Sequence, residues 1–325
     1  MSPDGPEISV VVPSRDRALR LRWLLNALQE QTLAPERFEV IICHDSHGPE
    51  TDVLLHTHPL TMDGRLRQLT LPAGTLLAGA KRNLGWRLAR APLIAFTDDD
   101  CRPPEEWLAR ALAAARRHPG AIVQGATRPD PDELEIALRA PHARTQTVDP
   151  PSPWAETCNI VYPRELLQRL GGFAEDAPSF EDTDLALRAV EAGDSLCAAP
   201  EVLTFHAVHD GGLRGTVRTL ARWESVPWAL RRHPQLRRQC AAGLFWHETH
   251  GWLLLAFGGL ALGPRRRSAA LLLALPWAVR ARPSYGSGVR ALLRELFELP
   301  GQALVDLVEL GVLIRASIRH RSLVL

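Results

Sequence analysis

The stretch Leu93–Asp100 reads LIAFTDDD and joins a short apolar run to three consecutive aspartates. An apolar run bounded by polar residues is typical of a buried strand. Ligands bind α/β proteins beyond the carboxyl ends of such strands, so Asp98, Asp99 and Asp100 would lie at a binding edge. An acidic turn, or a helix start near Pro103, would explain the aspartates as well at this stage.

Three neighbouring carboxylates repel one another, and a divalent cation would remove that repulsion. Asp98 and Asp100 project to the same side of an extended chain, so the two can face one target. Hard oxygen ligands of this kind suit Mg²⁺ or Mn²⁺. The pattern therefore favours a metal-dependent site at the end of this strand.

Strands and helices alternate around the aspartates. The predicted strands are Ile8–Val12, Phe38–Cys43, Arg65–Leu71, Leu93–Phe96, Ala121–Gly125 and Ala198–Phe205. The predicted helices are Leu19–Gln31, Gly79–Ala89, Trp107–Arg117, Pro163–Leu170 and Asp182–Ala192. This alternation predicts an α/β fold with a doubly wound, parallel sheet over about the first 125 residues. The proline-rich and charged segment Arg128–Ser152 is predicted to be a loop.

The net charge of +1 conceals a strong asymmetry along the 325 residues. Residues 211–325 hold 17 arginines and 6 acidic residues, a net charge of +11. The first 210 residues carry 21 basic and 31 acidic side chains, a net charge of −10. The asymmetry predicts two domains, residues 1–210 and a basic helical extension over 211–325, with different partners.

The extension contains two uncharged apolar runs, Gly251–Leu262 and Ser268–Val279, on either side of Arg265–Arg267. Each is shorter than the roughly 20 residues that span a bilayer, so we expect an interfacial or re-entrant hairpin at a membrane surface. A helical hairpin packed on the rest of the chain is the alternative. Further helices are predicted at Leu213–Arg238, Arg290–Leu299 and Gln302–Ser317.

Cysteine usage and the N-terminal sequence bear on the compartment. The five cysteines are scattered singly with no Cys-x-x-Cys pair, which argues against a zinc site or a disulfide framework. Met1–Glu7 shows no signal-peptide pattern. We therefore expect a cytoplasmic protein, peripheral or monotopic at the cytoplasmic face of the cell membrane. The extension's arginines alternate with long apolar runs, which favours lipid and predicts no nucleic-acid partner.

Other motifs accompany the aspartates in a fixed order. They are Val11–Arg17 (VVPSRDR), Phe38–Asp45 (FEVIICHD), Lys81–Gly85 (KRNLG), Phe96–Asp100, Asn159, Gly171–Glu175 (GGFAE), Glu181–Leu185 (EDTDL) and His206. Over about residues 7–210, this series resembles the GT-A fold glycosyltransferases of family 2, which are inverting nucleotide-sugar transferases. The resemblance implies a Rossmann-like, mostly parallel sheet flanked by helices. More loosely, the tail resembles the membrane-associating extensions of some members.

The resemblance implies a donor-binding set of Pro13, Ser14, Asp45, Arg82, Asp98 and Asp99. In the family, the carboxylate that Asp45 matches accepts hydrogen bonds from the nucleotide base. A second acid usually precedes it, and His44 stands there in this chain, which weakens the implied preference for uridine. Arg82 would reach the nucleotide with its guanidinium. Asn83 is expected to brace a loop rather than to touch the substrate.

The same resemblance implies the reacting groups. Asp100 and His206 would hold a divalent metal, Mn²⁺ or Mg²⁺, with His209 as a competing ligand. Asp182 would be the catalytic base, and Glu181 is the second candidate. Acids in the first turn of a helix also stabilise that helix, so helix stability alone would explain Glu181 and Asp182 as well. The residues implied on the acceptor side are Gly172 and Trp154.

Together these features predict transfer of a sugar from a nucleoside-diphosphate donor, a UDP-sugar in the first instance, to a hydroxyl acceptor. That acceptor could be a lipid-linked or cell-envelope glycan or a small molecule. A nucleotidyltransferase or a dinucleotide-dependent oxidoreductase would need a glycine-rich loop after the first strand, and Val11–Arg17 contains no glycine. A catalytically inactive, nucleotide-binding membrane scaffold stays open as an alternative.

Overall fold

The computed structural model describes residues 5–261 and 267–325 of the chain. Its strands are β1 (Ile8–Ser14), β2 (Phe38–His44), β3 (Leu66–Thr70), β4 (Leu93–Thr97), β5 (Cys101–Arg102), β6 (Ile122–Pro129), β7 (Asn159–Pro163) and β8 (Leu196–His206). Its helices are α1 (Ala18–Gln29), α2 (Glu50–Thr57), α3 (Pro59–Met62), α4 (Ala78–Leu88), α5 (Trp107–Arg117), α6 (Leu134–Arg139), α7 (Arg164–Leu170), α8 (Glu181–Glu191), α9 (Gly212–Thr219), α10 (Val226–Arg232), α11 (Glu248–Ala261), α12 (Arg267–Ala281) and α13 (Val289–His320).

The strands form one mixed sheet in the order β3-β2-β1-β4-β7-β6-β8-β5. The first four run parallel to one another, as the alternating pattern predicted. β7 is antiparallel to both β4 and β6, whereas β6 and β8 are parallel. The α/β prediction is confirmed. The strand β7 was not predicted, because its five residues end in Pro163 and show no periodicity of their own.

The central strands are largely apolar because both faces of the sheet are covered. Val10 and Val12 of β1 pack in one core with α1 and α5. Val11, between them, packs in a second core with Trp86 of α4 and Leu185 of α8. Side chains alternate across a strand, so a run buried on both faces is apolar along most of its length; the buried exceptions Ser9 and Glu39 hydrogen-bond to each other.

Four predicted elements differ from the structure. The predicted loop Arg128–Ser152 begins inside β6 and contains α6. The predicted helix Leu213–Arg238 is divided into α9 and α10 by 3₁₀ turns, with Pro227 in the first turn of α10, where proline is well tolerated. The two helices predicted around Pro300 are one helix, α13, because Leu299 and Ala303 both pack against one apolar cluster.

The chain divides into two compact units. One comprises the described residues up to Leu134 together with Thr145–Val208, and the other comprises Glu135–Arg144 and the described residues from His209 onward. Within the second unit, the predicted apolar runs lie in α11, as far as Ala261, and in α12, while Leu262, Arg265 and Arg266 lie outside the described residues. Among the described residues, no helix has the length and apolarity that crossing a membrane requires.

A glycine permits the close packing of α4 on β1. A Cβ placed on Gly85 would lie 2.4 Å from Cγ1 of Val11, which is fully buried. We expect Gly85→Ala to lower the free energy of unfolding by about 1–3 kcal/mol, because overpacking displaces the neighbours. Denaturant unfolding measures the change.

The control for that variant is Gly311→Ala in α13, where nothing lies within 4 Å of the added Cβ. This change should raise the free energy of unfolding by about 0.5–1 kcal/mol through helix propensity. Equal effects of the two substitutions would contradict the close approach of α4 to β1.

Candidate functional site

The polar residues that follow β1, β2 and β4 lie at one edge of the sheet, because these three neighbouring strands are parallel. Ser14 ends β1 next to Pro13, and its hydroxyl donates to Oδ2 of Asp99 over 2.7 Å. Asp45 follows β2, and its backbone N–H donates to the Ser14 carbonyl over 3.4 Å. The structure thus brings most of the predicted donor residues to the edge where α/β proteins bind ligands.

Asp45 lies in a buried ion cluster. Its Oδ1 accepts from Arg15 Nε at 2.9 Å and from Lys81 Nζ at 2.6 Å. Its Oδ2 accepts from the Leu76 backbone N–H at 3.1 Å. Burial acts to raise the pKa of Asp45, but the hydrogen bonds from Arg15 and Lys81 outweigh burial and hold the pKa well below its usual range. Lys81, the one lysine of the sequence, therefore has a defined electrostatic partner.

Arg82 connects two acidic segments that are distant in sequence. Its Nη2 donates to Oδ1 of Asp98 over 2.8 Å, and its Nη1 donates to Oε1 of Glu181 over 2.6 Å. The guanidinium also lies over the ring of Phe173, 5.8 Å from its centroid. Arg82 is only 5% exposed, so both ion pairs lie in a largely desolvated environment. This contact joins the predicted donor side of the site to the predicted base.

The other two aspartates share a second guanidinium. Arg17 Nη1 lies 3.0 Å from Oδ1 of Asp99 and 2.6 Å from Oδ2 of Asp100. Burial raises the pKa of Asp99 to about 6, with Arg17 opposing burial and the charge of Asp100 adding to it. The arrangement resolves the ambiguity of the sequence: these aspartates form a buried, charge-compensated cluster and not a solvated turn.

Asp100 and His206 belong to a group of side chains whose ligand atoms lie close enough together to hold a metal ion. Strand pairing sets Cys101 of β5 opposite His206 at the end of β8, and His206 Nε2 lies 3.6 Å from Asp100 Oδ1. His206 Nδ1 faces the Ala207 carbonyl at 2.8 Å, which leaves Nε2 as the ligand nitrogen. Two ligands of one ion, each about 2.1 Å from it, can adopt this separation, so the pair fits Mn²⁺ or Mg²⁺.

Asp182 lies in the first turn of α8, beside the arginine-held Glu181. Its Oδ1 accepts from the Thr183 backbone N–H over 2.8 Å. Burial and the charge of Glu181 raise the pKa of Asp182 to about 8, although Arg82 opposes them. Thr183 also donates its hydroxyl to the Trp154 carbonyl over 2.7 Å, which holds the predicted acceptor residue next to the start of α8.

The loop that carries Gly172 is fixed by Asn83. The Asn83 amide accepts from the Phe173 N–H at 2.9 Å and donates to the Phe173 carbonyl at 2.9 Å. A Cβ on Gly172 would lie 2.2 Å from Asn83 Oδ1, and its φ of +80° also favours glycine. Asn83 therefore braces this loop, as predicted, and the loop runs against α4.

Two arginines of the site, Arg15 and Arg17, had no predicted role. Both belong to the quoted motif Val11–Arg17 and flank a sheet edge that carries several carboxylates. The sequence could have indicated their role through its charge balance, because buried carboxylates need cations and the loop after β1 supplies two. What the sequence does not show is which arginine meets which acid.

The sequence model of glycosyl transferase family 2 matches residues 9–171. A validoxylamine A glucosyltransferase from Streptomyces hygroscopicus subsp. limoneus is 27% identical over 282 residues. That match covers 75% of this chain and 60% of the relative, so the chain spans about three fifths of that protein's length.

Solved structures show a similar fold. The mannosyltransferase PcManGT from Pyrobaculum calidifontis, in complex with GDP-Man and Mn²⁺, matches with a TM-score of 0.60 and 19% identity, over 99% of this chain and 89% of that one. S. aureus TarS 1-349, in complex with UDP-GlcNAc, matches with a TM-score of 0.53 and 15% identity, over 97% and 92%. The family model covers half of the sequence and includes the strand that carries the three aspartates, and on that match the chain belongs to glycosyl transferase family 2.

Proposed function

We propose that this chain is an inverting glycosyltransferase that moves a sugar from a nucleoside-diphosphate sugar to a hydroxyl acceptor. The observation that carries the proposal is the Arg82 bridge, which connects Asp98 on the donor side with Glu181, the neighbour of Asp182. A transferase needs its donor site and its base held at a fixed distance and orientation, because misplacing either slows the reaction steeply. Residues 1–210 would form the transferase domain and residues 211–325 an extension.

The donor would lie along the edge formed by the loops after β1, β2 and β4. Pro13, Ser14 and Asp45 would frame the nucleotide base and ribose, with Asp98 and Asp99 on the ribose side. The two structures of similar fold are complexes with different nucleotide sugars, GDP-Man and UDP-GlcNAc, so the fold alone does not select the base. We assign a UDP-sugar as the first donor to test.

Asp100 and His206 would hold Mn²⁺ or Mg²⁺, and His209, three residues further along the chain, is the competing ligand. When bound, such an ion neutralises negative charge that develops on the departing nucleoside diphosphate. His206 is suited to this position because its Nδ1 contact with Ala207 orients the ring.

Asp182 would be the base, in preference to Glu181. The Glu181 Oε1 atom already accepts a 2.6 Å hydrogen bond from Arg82, so this oxygen is engaged by a guanidinium and is badly placed to receive the proton of an acceptor hydroxyl. Asp182, with its raised pKa, is the better acceptor. In the reaction, the acceptor oxygen bonds to the anomeric carbon, the bond from that carbon to the diphosphate oxygen breaks, and Asp182 takes the hydroxyl proton.

The acceptor would approach between Trp154 and the loop of Gly172. Trp154 makes an edge-to-face contact with Phe180, with ring centroids 5.9 Å apart, and an indole face offers an apolar surface of the kind sugar rings stack on. The relative from Streptomyces hygroscopicus is named as a glucosyltransferase of validoxylamine A, and a small molecule is the first acceptor class to test for this chain. A lipid-linked or cell-envelope glycan remains the second class to test.

We also propose that α13 binds an anionic lipid surface at the cytoplasmic face of the membrane. One stripe of this helix is apolar and exposed: Val289, Leu293, Phe297, Leu304, Leu307, Ile314 and Ile318. At about 100° per residue these positions share one face, and buried positions such as Asp306 and Leu313 share the opposite face. Exposed Arg290, Arg315 and Arg319 follow the edge of the stripe, which is the charge pattern of an interfacial helix.

The base assignment predicts a separation of binding from turnover. Asp182→Asn should reduce release of nucleoside diphosphate from the sugar donor by at least about 100-fold, because the hydroxyl proton loses its acceptor. Donor affinity by calorimetry should change by less than about threefold, since Asp182 makes no net contribution to holding the donor. The matched control is Asp176→Asn, an exposed carboxylate in the preceding loop. Full activity of Asp182→Asn would overturn the assignment, as would an equal loss in the control.

The pH dependence follows from the pKa of Asp182, which is raised to about 8. A carboxyl group with a raised pKa is protonated at lower pH and cannot act as a base there. The rate should therefore rise about tenfold per pH unit below pH 8 and level off above it. A rate that is independent of pH between 6 and 9 would contradict the role of Asp182.

The lipid proposal is tested by co-sedimentation with vesicles. Binding to vesicles with about 30% anionic lipid should exceed binding to neutral vesicles and weaken in high salt. The double variant Leu293→Gln, Phe297→Gln should lower binding at least about tenfold, because two apolar side chains no longer enter the interface. Leu19→Gln with Met62→Gln, which removes exposed apolar side chains from the other unit, is the control. Equal binding by both double variants, or none by the unmodified chain, would contradict the proposal.

A further inference from the structure

Arg17 lies in the loop after β1, one residue before α1, and contacts the two aspartates nearest to the proposed metal. Its side chain is 46% exposed, whereas those of Asp99 and Asp100 are each 5% exposed. A partly exposed cation thus covers buried carboxylates. The third aspartate, Asp98, has a cation of its own in Arg82.

The two oxygens of Asp100 have different neighbours. Oδ2 accepts from Arg17 at 2.6 Å, and Oδ1 faces His206 Nε2 at 3.6 Å. An ion held on the His206 side would share this carboxylate with the guanidinium. With an ion about 2.1 Å from Oδ1, the two like charges would lie on opposite sides of this carboxylate, about 5 Å apart.

We propose that Arg17 couples metal binding to donor binding. Without a donor, its positive charge competes for Asp100 and lowers the affinity for a divalent cation. The donor's diphosphate is anionic, so it is attracted to both cations and removes the repulsion between them. The metal and the donor then enter as a pair, and a bare metal ion binds weakly. This inference rests on the proposed function, because it takes Asp100 and His206 as the metal pair.

The test measures Mn²⁺ affinity by electron paramagnetic resonance, with and without UDP or GDP. Removing the charge in Arg17→Gln should tighten Mn²⁺ binding by the donor-free protein about tenfold, the size that Coulomb's law gives at about 5 Å in a water-like medium. It should also weaken nucleotide binding in the presence of Mn²⁺ by about tenfold. The ratio of the two Mn²⁺ affinities, with and without nucleotide, therefore falls.

Two variants separate charge from structure. Arg17→Lys keeps the charge and should retain most of the coupling. Arg20→Gln removes an arginine of α1 that pairs instead with Glu133, and should leave Mn²⁺ affinity unchanged. Unchanged or weaker Mn²⁺ binding by donor-free Arg17→Gln, with unchanged thermal unfolding, would overturn the inference about Arg17 alone. Failure of the unmodified chain to bind Mn²⁺ with either nucleotide would instead overturn the proposed function.

Discussion

The site depends on the compensation of buried negative charge at one edge of the sheet. Asp45, Asp99 and Glu181 are all buried, and isolated carboxylates in such places would cost several kcal/mol each. The chain supplies a cation for every one of them, from the loop after β1 and from α4. Because each cation comes from a different segment of the chain than the carboxylate it pairs with, the ion pairs also fix the positions of the loops. Arg82 is the cation that spans the site, since it pairs with both Asp98 and Glu181.

The need to compensate buried carboxylates explains why the site is built around the helix α4. Lys81, Arg82 and Asn83 are consecutive, yet each reaches a different part of the site: Asp45, the Asp98–Glu181 pair, and the loop of Gly172. Three successive helical residues point about 100° apart, so one turn can serve three loops. Gly85 then allows the helix to lie directly on β1. The helix is therefore both a packing element and the scaffold of the site.

The features of the fold and of the site that depend on the pattern of residue types could be predicted from the sequence. Apolar runs such as Ile8–Val12 predicted the central strands, because a strand buried on both faces is apolar along most of its length. The order of motifs around Asp98–Asp100 singled out residues such as Ser14, Asp45 and Arg82, which the structure brings to one edge of the sheet. The pairing of Arg17 with Asp100, or of Arg82 with Glu181, could not be predicted, because it depends on how loops far apart in sequence meet at the sheet edge. The strand β7 and the helix α6 were missed because five or six residues carry too little periodicity.

The proposed function requires that the acidic edge bind a nucleoside diphosphate together with a divalent metal. Calorimetric titration of the chain with UDP, GDP, dTDP and CDP, in Mn²⁺ and then in EDTA, measures this binding. One nucleotide should bind in Mn²⁺, and EDTA should weaken its binding by at least about tenfold because the diphosphate loses a counter-charge. Binding that EDTA leaves unchanged, or no binding of any of the four nucleotides, would contradict the proposed function.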